Sequence, residues 1–451
     1  MNKQHILDNV DNLTAEQLYS CISQGIVSLD ELKKTGNLDA SKRAAIQKLQ
    51  SKHDSEDDAA WEECRYGNET GLADYISTHP KGRHVNEAKQ RMDDLRQERE
   101  NIRAQKQDIL DKIRRNSNAY YPSQILEYLS NGTLTQSELK NCGIPQTVID
   151  NLDKVETPRL QIGETPDEIP SGYTEVYFWG GTGSGKTCAL GAVLQMAEEK
   201  GYLNIAPGPG CLYATQLKNI FSDDDVANDY LPAPSPLETT QYLPFTLKRP
   251  NEKHSRSVSL IELSGEIFKC FFHKNAGQQL PTLSHENTFN SLNNFLKSNN
   301  RKIHFFFIDY DEKNAPDGDG LKQSDYLAAA STYFKNNAVF GKTTDAIYVV
   351  LTKSDLLTDE LGKKVPPEKR VEYAKKHLSA KSFTSFINTL KDNCKKYSIN
   401  AGKLTVEPFS LGGVYFQQIC NFEGSSAERI LEILMDRIEV SKKSILDILN
   451  Q

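Results

Sequence analysis

The sequence predicts an α/β fold, in which a domain with a mostly parallel central sheet follows an all-α helical domain. Three observations indicate this class. An apolar strand at 174–179 leads directly into a glycine-rich phosphate-binding loop, strand and helix patterns then alternate to the end of the chain, and residues 1–155 have helical periodicity. We therefore expect a helical interaction module at 1–155, a linker at 156–173 and a P-loop domain at 174–451.

Composition excludes several classes of protein. The chain has 451 residues and a formal net charge of -7, so it has no basic excess with which to bind nucleic acid. It shows no signal-like apolar segment and no apolar run of membrane-spanning length, and its eight cysteines are scattered without metal-like spacing. We expect a cytoplasmic protein with reduced thiols, no nucleic-acid partner and no membrane association.

The helical module contains an internal repeat at an offset of 107 residues. Each copy predicts a helix, a glycine stop, a capping box, a short helix, a second glycine stop and a third helix. The balanced charge of the second helix favours docking to a protein over DNA binding. Coincidence between two helical hairpins remains the alternative. The matched residues are Ser23, Gly25, Glu31, Leu32, Lys33 and Gly36 with Ser130, Gly132, Glu138, Leu139, Lys140 and Gly143.

Between the copies, two packed helices are expected to turn at His79-Pro80, in a pattern that resembles a single tetratricopeptide-type hairpin. The strongly charged run from Glu87 to Arg115 then predicts one long exposed helix. A self-associating coiled coil, which would make a homodimer, is the alternative for this helix. We expect the module to bind an unidentified protein partner.

The phosphate-binding loop has the full GxxxxGK[ST] pattern. Such a loop needs glycines because its backbone N–H groups must turn inward toward the phosphates. Lys186 supplies a positive charge to the β- and γ-phosphates, which makes it a catalytic candidate, and Thr187 offers a hydroxyl to Mg²⁺. The expected nucleotide-binding residues here are Gly180, Gly181, Thr182, Gly183, Ser184, Gly185, Lys186, Thr187 and Cys188.

Strands are expected at about 174–179, 242–248, 257–263, 303–309, 345–351 and 404–409, the second and third forming a hairpin. Glu262 ends the third strand, where a carboxylate can hold Mg²⁺, and Gly265 lets its backbone N–H approach the γ-phosphate. Thr240 (or Thr239) precedes the second strand at a distance that suits a further Mg²⁺ ligand.

The fifth expected strand delivers a TKxD sequence at its carboxyl end, with Thr352, Lys353 and Asp355. An aspartate there can accept two hydrogen bonds from the N1–H and 2-amino groups of guanine, whereas adenine offers no matching donor pair. The lysine stem would cover the base. These residues favour GTP or GDP over ATP as the bound nucleotide, together with Mg²⁺.

With these motifs in place, residues 174 to about 437 resemble a Ras/Rab-like GTPase domain of the translation-factor-related class. The ELSGE and WGGTGSGKT segments are similar to those of bacterial double-GTPase domains. The resemblance implies that Ser410 belongs to the short guanine-binding loop and that Glu266 takes the place of the water-orienting glutamine. It also implies a regulatory role in a bacterial multi-component system such as defence.

The departures from that family concern hydrolysis. Glu262 replaces the family's aspartate, Glu266 its glutamine, and Thr182 stands where fast hydrolysers often have glycine. Glu266 is a catalytic candidate because of its position. Its carboxylate cannot donate a hydrogen bond to the transferring phosphoryl group and repels the triphosphate, so we expect slow turnover.

Several alternatives accompany this interpretation. Asp309 ends a Walker-B-like apolar run and would hold Mg²⁺ in an ATPase, although a loop aspartate is favoured. Arg256 is taken as a solvated arginine of the hairpin rather than a γ-phosphate finger. A capping box of Ser425 with Glu428 is expected to begin the last helix. The leading function is a GTP-binding switch; the alternatives are a non-hydrolysing nucleotide-binding scaffold and an ATP-driven P-loop NTPase.

Overall fold

The computed structural model describes residues 2–154, 160, 168–205, 207–208, 210–222, 230–232, 241–310 and 320–438. The chain divides into two compact units, Met1–Asp111 and Lys112–Gln451. The helices at 122–150 therefore belong to the same compact unit as the sheet. The boundary near residue 155 and the linker at 156–173 stay predictions, since residues 155–159 and 161–167 lie outside the described part of the chain.

The first unit is helical. Leu18, Leu32 and Ile46 are the centre of one apolar cluster, and Leu72 and Ala88 of another, in which Trp61 also packs. The predicted packing of two helices on either side of His79-Pro80 is confirmed, and the second of them continues without a break as the predicted long helix. The helices are α1 (Lys3–Asp8), α2 (Ala15–Ser23), α3 (Leu29–Lys34), α4 (Ala40–Cys64), α5 (Glu69–Thr78) and α6 (Val85–Arg115).

Local features of the repeat are confirmed in both copies. Ser28 with Glu31 and Thr135 with Glu138 form reciprocal capping boxes. The four glycine stops at 25, 36, 132 and 143 have φ between 74° and 86°, a region that L side chains rarely adopt. The second copy contributes α7 (Pro122–Ser130), α8 (Gln136–Asn141) and α9 (Gln146–Asp150). That the two copies are one repeated unit stays a prediction.

The second unit is built on a sheet of seven strands within the described residues, in the order β2-β3-β4-β1-β5-β6-β7. β1 is paired in parallel with β4 and β5, and β5, β6 and β7 continue in parallel, whereas β3 is antiparallel to β4 and β2 to β3. The strands are β1 (Thr174–Trp179), β2 (Leu203–Ile205), β3 (Gln241–Leu247), β4 (Arg256–Glu262), β5 (Arg301–Asp309), β6 (Thr344–Thr352) and β7 (Thr405–Pro408).

Helices cover both faces of the sheet, as the alternation along β1 requires. Val176 and Phe178 belong to the apolar core under α10, α11 and α17, while Tyr177 and Trp179 belong to the core on the opposite face. The predicted α/β class with a mostly parallel sheet is confirmed. The helices are α10 (Lys186–Glu199), α11 (Cys211–Asn219), α12 (Ile267–Asn275), α13 (Leu283–Leu296), α14 (Gln323–Asn336), α15 (Arg370–Leu378), α16 (Thr384–Tyr397) and α17 (Ser425–Arg437).

A two-stranded hairpin, β8 (Gly412–Tyr415) and β9 (Gln418–Phe422), follows directly after Ser410. Asn118 holds its turn: the Asn118 amide nitrogen donates to the Val414 carbonyl at 3.0 Å, and the Gln417 N–H donates to Asn118 Oδ1 at 2.9 Å. The residues before α7 are thus hydrogen-bonded to the end of the sheet domain.

All six predicted strands and the β3–β4 hairpin are confirmed, whereas β2, β8 and β9 were not predicted. The predicted capping box at the last helix is wrong, because α17 begins at Ser425 after Gly424 and has no side-chain cap. Glu428 instead forms an ion pair with Lys200 at 2.6 Å. Within the described residues, no helix has both the length and the apolar character that crossing a membrane requires.

Candidate nucleotide-binding site

The phosphate-binding loop joins β1 to α10, at the carboxyl edge of the sheet. Gly185 caps α10 with φ 83°, so a side chain there would strain the backbone. A Cβ on Gly180 would lie 2.7 Å from the Phe307 carbonyl oxygen of β5. These constraints fix the loop against β5 and leave the amino end of a 14-residue helix at the loop, an arrangement that favours binding of an anion.

Lys186 lies under this loop and is 5 % exposed. Its Nζ donates to the carbonyl oxygens of Gly180 at 2.8 Å and Gly181 at 3.0 Å. Burial lowers the pKa of Lys186 to about 8, and the nearby Glu262 carboxylate opposes that shift. The ammonium group is therefore already positioned at the loop, where a bound phosphate would bring further negative charge beside it.

Thr187 and Glu262 meet beside the loop. Glu262 is fully buried at the end of β4, and the Thr187 hydroxyl donates to its Oε1. Tyr213 of α11 donates its hydroxyl to the other carboxylate oxygen, Oε2, at 2.6 Å. Sequence reasoning identified Thr187 and Glu262 but missed Tyr213, because nothing in the sequence of the segment between β2 and β3 links it to the motif at Glu262.

The donors at this point fit Mg²⁺. A threonine hydroxyl and one carboxylate are hard oxygen ligands, and Mg²⁺ commonly takes one or two such groups and completes its shell with water and phosphate oxygens. Thr187 and Glu262 would hold the ion, whose charge would neutralise the triphosphate. The third predicted ligand, Thr240 (or Thr239), lies outside the described residues.

Gly265 and Glu266 lie against the phosphate-binding loop from the β4 side. A Cβ on Gly265 would stand 2.6 Å from the carbonyl carbon of Gly181 and would overlap the Thr182 nitrogen. The Thr182 hydroxyl donates to Glu266 Oε1 at 3.3 Å, and Lys269 Nζ lies 3.1 Å from Glu266 Oε2. The Glu266 carboxylate thus already has two partners, one of which is the loop itself.

The TKxD segment begins at the last residue of β6, on the other side of the loop. A Cβ on Gly185 would lie 3.4 Å from the Thr352 methyl group, so Thr352 is packed against the phosphate-binding loop. Lys353 has φ 53° and pairs through Nζ with Asp309 Oδ2 at 2.7 Å. Burial raises the pKa of Asp355, and Lys364 and Arg370 act in the opposite direction. The structure brings Thr352 and the loop together at one edge of the sheet.

Ser410 lies next to this segment. The Ser354 N–H donates to the Phe409 carbonyl at 3.0 Å, which ties the TKxD segment to the residue before Ser410. Ser410 is buried; its N–H donates to Ser426 Oγ at 3.2 Å, and its hydroxyl accepts from Arg370 Nη1 at 3.3 Å. Arg370, at the start of α15, is a second neighbour of this site that the sequence did not indicate.

Two alternative residues have other roles in the structure. Asp309 pairs with Lys353, while its backbone N–H and carbonyl bond the Gln323 side chain at 2.9 and 3.0 Å. The prediction that Arg256 is solvated is wrong: it is 6 % exposed and pairs with Glu252. Arg256 begins β4 and Glu262 ends it, about 20 Å away at the strand's rise per residue. A γ-phosphate finger at Arg256 is therefore excluded.

The chain shows weak similarity to solved GTP-binding structures. It is 18% identical to the S. cerevisiae Ski7 GTPase-like domain, solved with GDP and inorganic phosphate, over 59% of this chain and 51% of that chain, with a TM-score of 0.28. It is 13% identical to the Methanosarcina barkeri Roco2 RocCORdC structure bound to GDP, over 63% of this chain and 54% of that chain, with a TM-score of 0.24.

The chain thus spans about half the length of each of these two structures. No family model matches the chain, and no curated protein matches it.

Proposed function

We propose that the chain binds Mg²⁺–GTP and GDP at the carboxyl edge of the sheet. One observation carries this proposal: the phosphate-binding loop and the TKxD segment, 167 residues apart between Gly185 and Thr352, pack against each other. A single nucleotide could then place its phosphates on the loop and its base against Asp355. The half-buried Asp355 carboxylate would accept the two donors of guanine, whereas adenine offers no matching donor pair.

We infer a switch with slow hydrolysis. The γ-phosphate would lie between Lys186 and the backbone of Gly265, so its loss would change the contacts of the segment after β4. Glu266 supports slow turnover, because its carboxylate is shared between Thr182 and Lys269 and has no proton to donate to the transferring group. The switch would regulate a protein partner through the helical module at 1–155.

A titration with GTP, GDP and ATP, each with Mg²⁺ and with EDTA, tests nucleotide binding. We expect both guanine nucleotides to bind more tightly than ATP by at least about a hundredfold, the order that a two-donor contact to a half-buried carboxylate supplies. Equal affinity for ATP would overturn the guanine assignment. Identical binding in Mg²⁺ and EDTA would overturn the assignment of Thr187 and Glu262 to the ion.

A scaffold that binds GTP without hydrolysing it is the second candidate, and the same Glu266 contacts favour it. Phosphate release over an hour at saturating GTP separates the two: measurable release indicates the slow switch, and release no faster than from GTP in buffer indicates the scaffold. An ATP-driven machine would instead keep its nucleotide preference when Asp355 is replaced by asparagine.

A further inference from the structure

Helix α11 belongs to a segment inserted between β2 and β3, and two glycines fix its place. Gly210 precedes the helix with φ 82°, and a Cβ there would lie 2.6 Å from the Tyr242 carbonyl oxygen of β3. A Cβ added to Gly191 of α10 would lie 2.8 Å from the Leu217 carbonyl oxygen. The start of α11 is therefore held against β3, and its later part is held against α10, the helix that begins at the phosphate-binding loop.

Tyr213 is the residue that this packing delivers to the site. It is 5 % exposed, and its hydroxyl donates to Glu262 Oε2 at 2.6 Å while Oε1 accepts from Thr187. The two carboxylate oxygens thus have different partners from different elements. A bond from a neutral hydroxyl to a buried carboxylate is of the strong, charge-assisted kind.

The length of the glutamate side chain explains why such a partner matters. Glutamate has one more rotatable bond than aspartate, and its terminal torsion is broadly distributed. A carboxylate that rotates would present either oxygen to the ion. The hydrogen bond from Tyr213 engages Oε2 and therefore favours the carboxylate orientation in which Oε1 faces Thr187.

We propose that Tyr213 is a positioning residue for the Mg²⁺ site: it holds the Glu262 carboxylate so that Oε1 faces Thr187. This inference rests on the proposed binding of Mg²⁺–GTP. It assigns to helix α11 a part in ion binding. Tyr213 acts through Glu262, and no contact of its own with the nucleotide is required.

The test compares Tyr213→Phe with Tyr242→Phe in the full chain. Tyr242 is an equally suited control, since it is also buried and its hydroxyl accepts a bond from Ser259 Oγ at 3.3 Å on β4, whereas Tyr213 bonds Glu262. A fluorescent GDP analogue is titrated with Mg²⁺, and its affinity is also measured in EDTA. The EDTA value reports whether each variant retains an intact nucleotide pocket.

We expect Tyr213→Phe to raise the Mg²⁺ concentration for half-maximal effect about tenfold, the order of one hydrogen bond to a charged group, with its EDTA affinity unchanged. Tyr242→Phe should match the unaltered protein in both measurements. In a Glu262→Asp background, whose shorter side chain draws the carboxylate away from residue 213, Tyr213→Phe should have less than a threefold effect.

Three outcomes would overturn the inference. An unchanged Mg²⁺ requirement in Tyr213→Phe removes the positioning role and leaves the proposed function intact. A loss of EDTA affinity equal to the loss in Mg²⁺ shows a purely structural residue. Absence of nucleotide binding by the unaltered protein overturns both the proposed function and the role of Tyr213.

Discussion

Gly265 lies so close to Thr182 that a methyl group on Gly265 would overlap the Thr182 nitrogen. The loop that would bind the phosphates and the segment that would sense the γ-phosphate are therefore already in van der Waals contact. We expect Gly265→Ala to push them apart and to weaken GTP binding at least about tenfold more than GDP binding, because only GTP needs both segments. Competitive titration of the two nucleotides measures this. Gly341→Ala, where a Cβ meets nothing within 4 Å, is the control.

The base preference should depend on the Asp355 carboxylate. Asp355→Asn replaces one acceptor oxygen with a donor, so we expect the preference for GTP over ATP to fall by about a hundredfold. Asp359→Asn makes the same change in a turn, where Oδ1 only accepts from the Leu361 and Lys363 backbone at 2.9 and 2.8 Å, and should leave the preference unchanged. Retained GTP preference in Asp355→Asn would contradict the guanine site.

Hydrolysis should be limited by Glu266. Single-turnover assays with Mg²⁺–GTP are expected to give slow phosphate release by the unaltered protein and faster release by Glu266→Gln, by about tenfold or more, since the amide can donate a hydrogen bond to the transferring phosphoryl group. Glu286→Gln, at an exposed position in the first turn of α13, removes the same negative charge and serves as the control. Fast hydrolysis by the unaltered protein would refute this account.

Nucleotide binding should take up a proton at Lys186. Its pKa of about 8 in the structure would rise once phosphate oxygens surround the ammonium group. Near pH 8, where about half of the free lysine is neutral, binding should consume roughly half a proton, and affinity should decline as the pH rises further. Calorimetry in two buffers of different ionisation enthalpy measures the number of protons taken up on binding. At pH 6.5 the uptake by this lysine should vanish, and equal heats in both buffers at pH 8 would count against it.

The first unit should be less stable at alkaline pH. Hydrogen bonding to Asp58 raises the pKa of His84, burial opposes the shift, and Glu87 adds to it. The stabilisation from protonated His84 is complete below its ordinary pKa of 6.5 and is lost as the pH rises through the higher folded value. Because both carboxylates are largely exposed, we expect less than about 1 kcal/mol.

Trp61 reports on this titration, since its ring stacks on that of His84, with the ring centroids 5.4 Å apart and an angle of 7° between the ring planes. The other tryptophan, Trp179, faces His304, whose pKa burial lowers to about 3, so that histidine stays neutral throughout the range. Tryptophan fluorescence followed from pH 6 to 9 should change in the unaltered protein and stay flat in His84→Gln. A fluorescence that does not change with pH in either protein would rule out the proposed titration of His84.

The features predicted correctly from the sequence are those encoded by local patterns. The apolar runs of β1, β4, β5 and β6 are long enough to be recognised as strands. The residue types and spacing of the loop from Gly180 to Thr187 are sufficient to predict phosphate binding. The capping boxes at Ser28 and Thr135 likewise involve partners only three residues apart. In each case the interacting residues are close enough in sequence for their pairing to be recognised.

The missed features depend on partners that are distant in sequence. β2 has only three residues and is defined by its pairing with β3. Tyr213 reaches Glu262 across 49 residues, and Asn118 reaches the β8–β9 turn across almost 300. The failed capping box at Ser425 has a related cause, because the position of Gly424 against Met196, rather than the residue pattern, fixes where α17 starts.

The bonds between Asn118 and the β8–β9 turn bear on how the chain can be cut for study. A fragment that starts near residue 155 would delete Asn118 and leave the Gln417 N–H and the Val414 carbonyl without those partners. That turn follows Ser410 directly, so damage there would mimic a defect in base recognition. A deletion series should therefore keep everything from Lys112 onward, the start of the second compact unit, before any loss of binding is assigned to the removed helices.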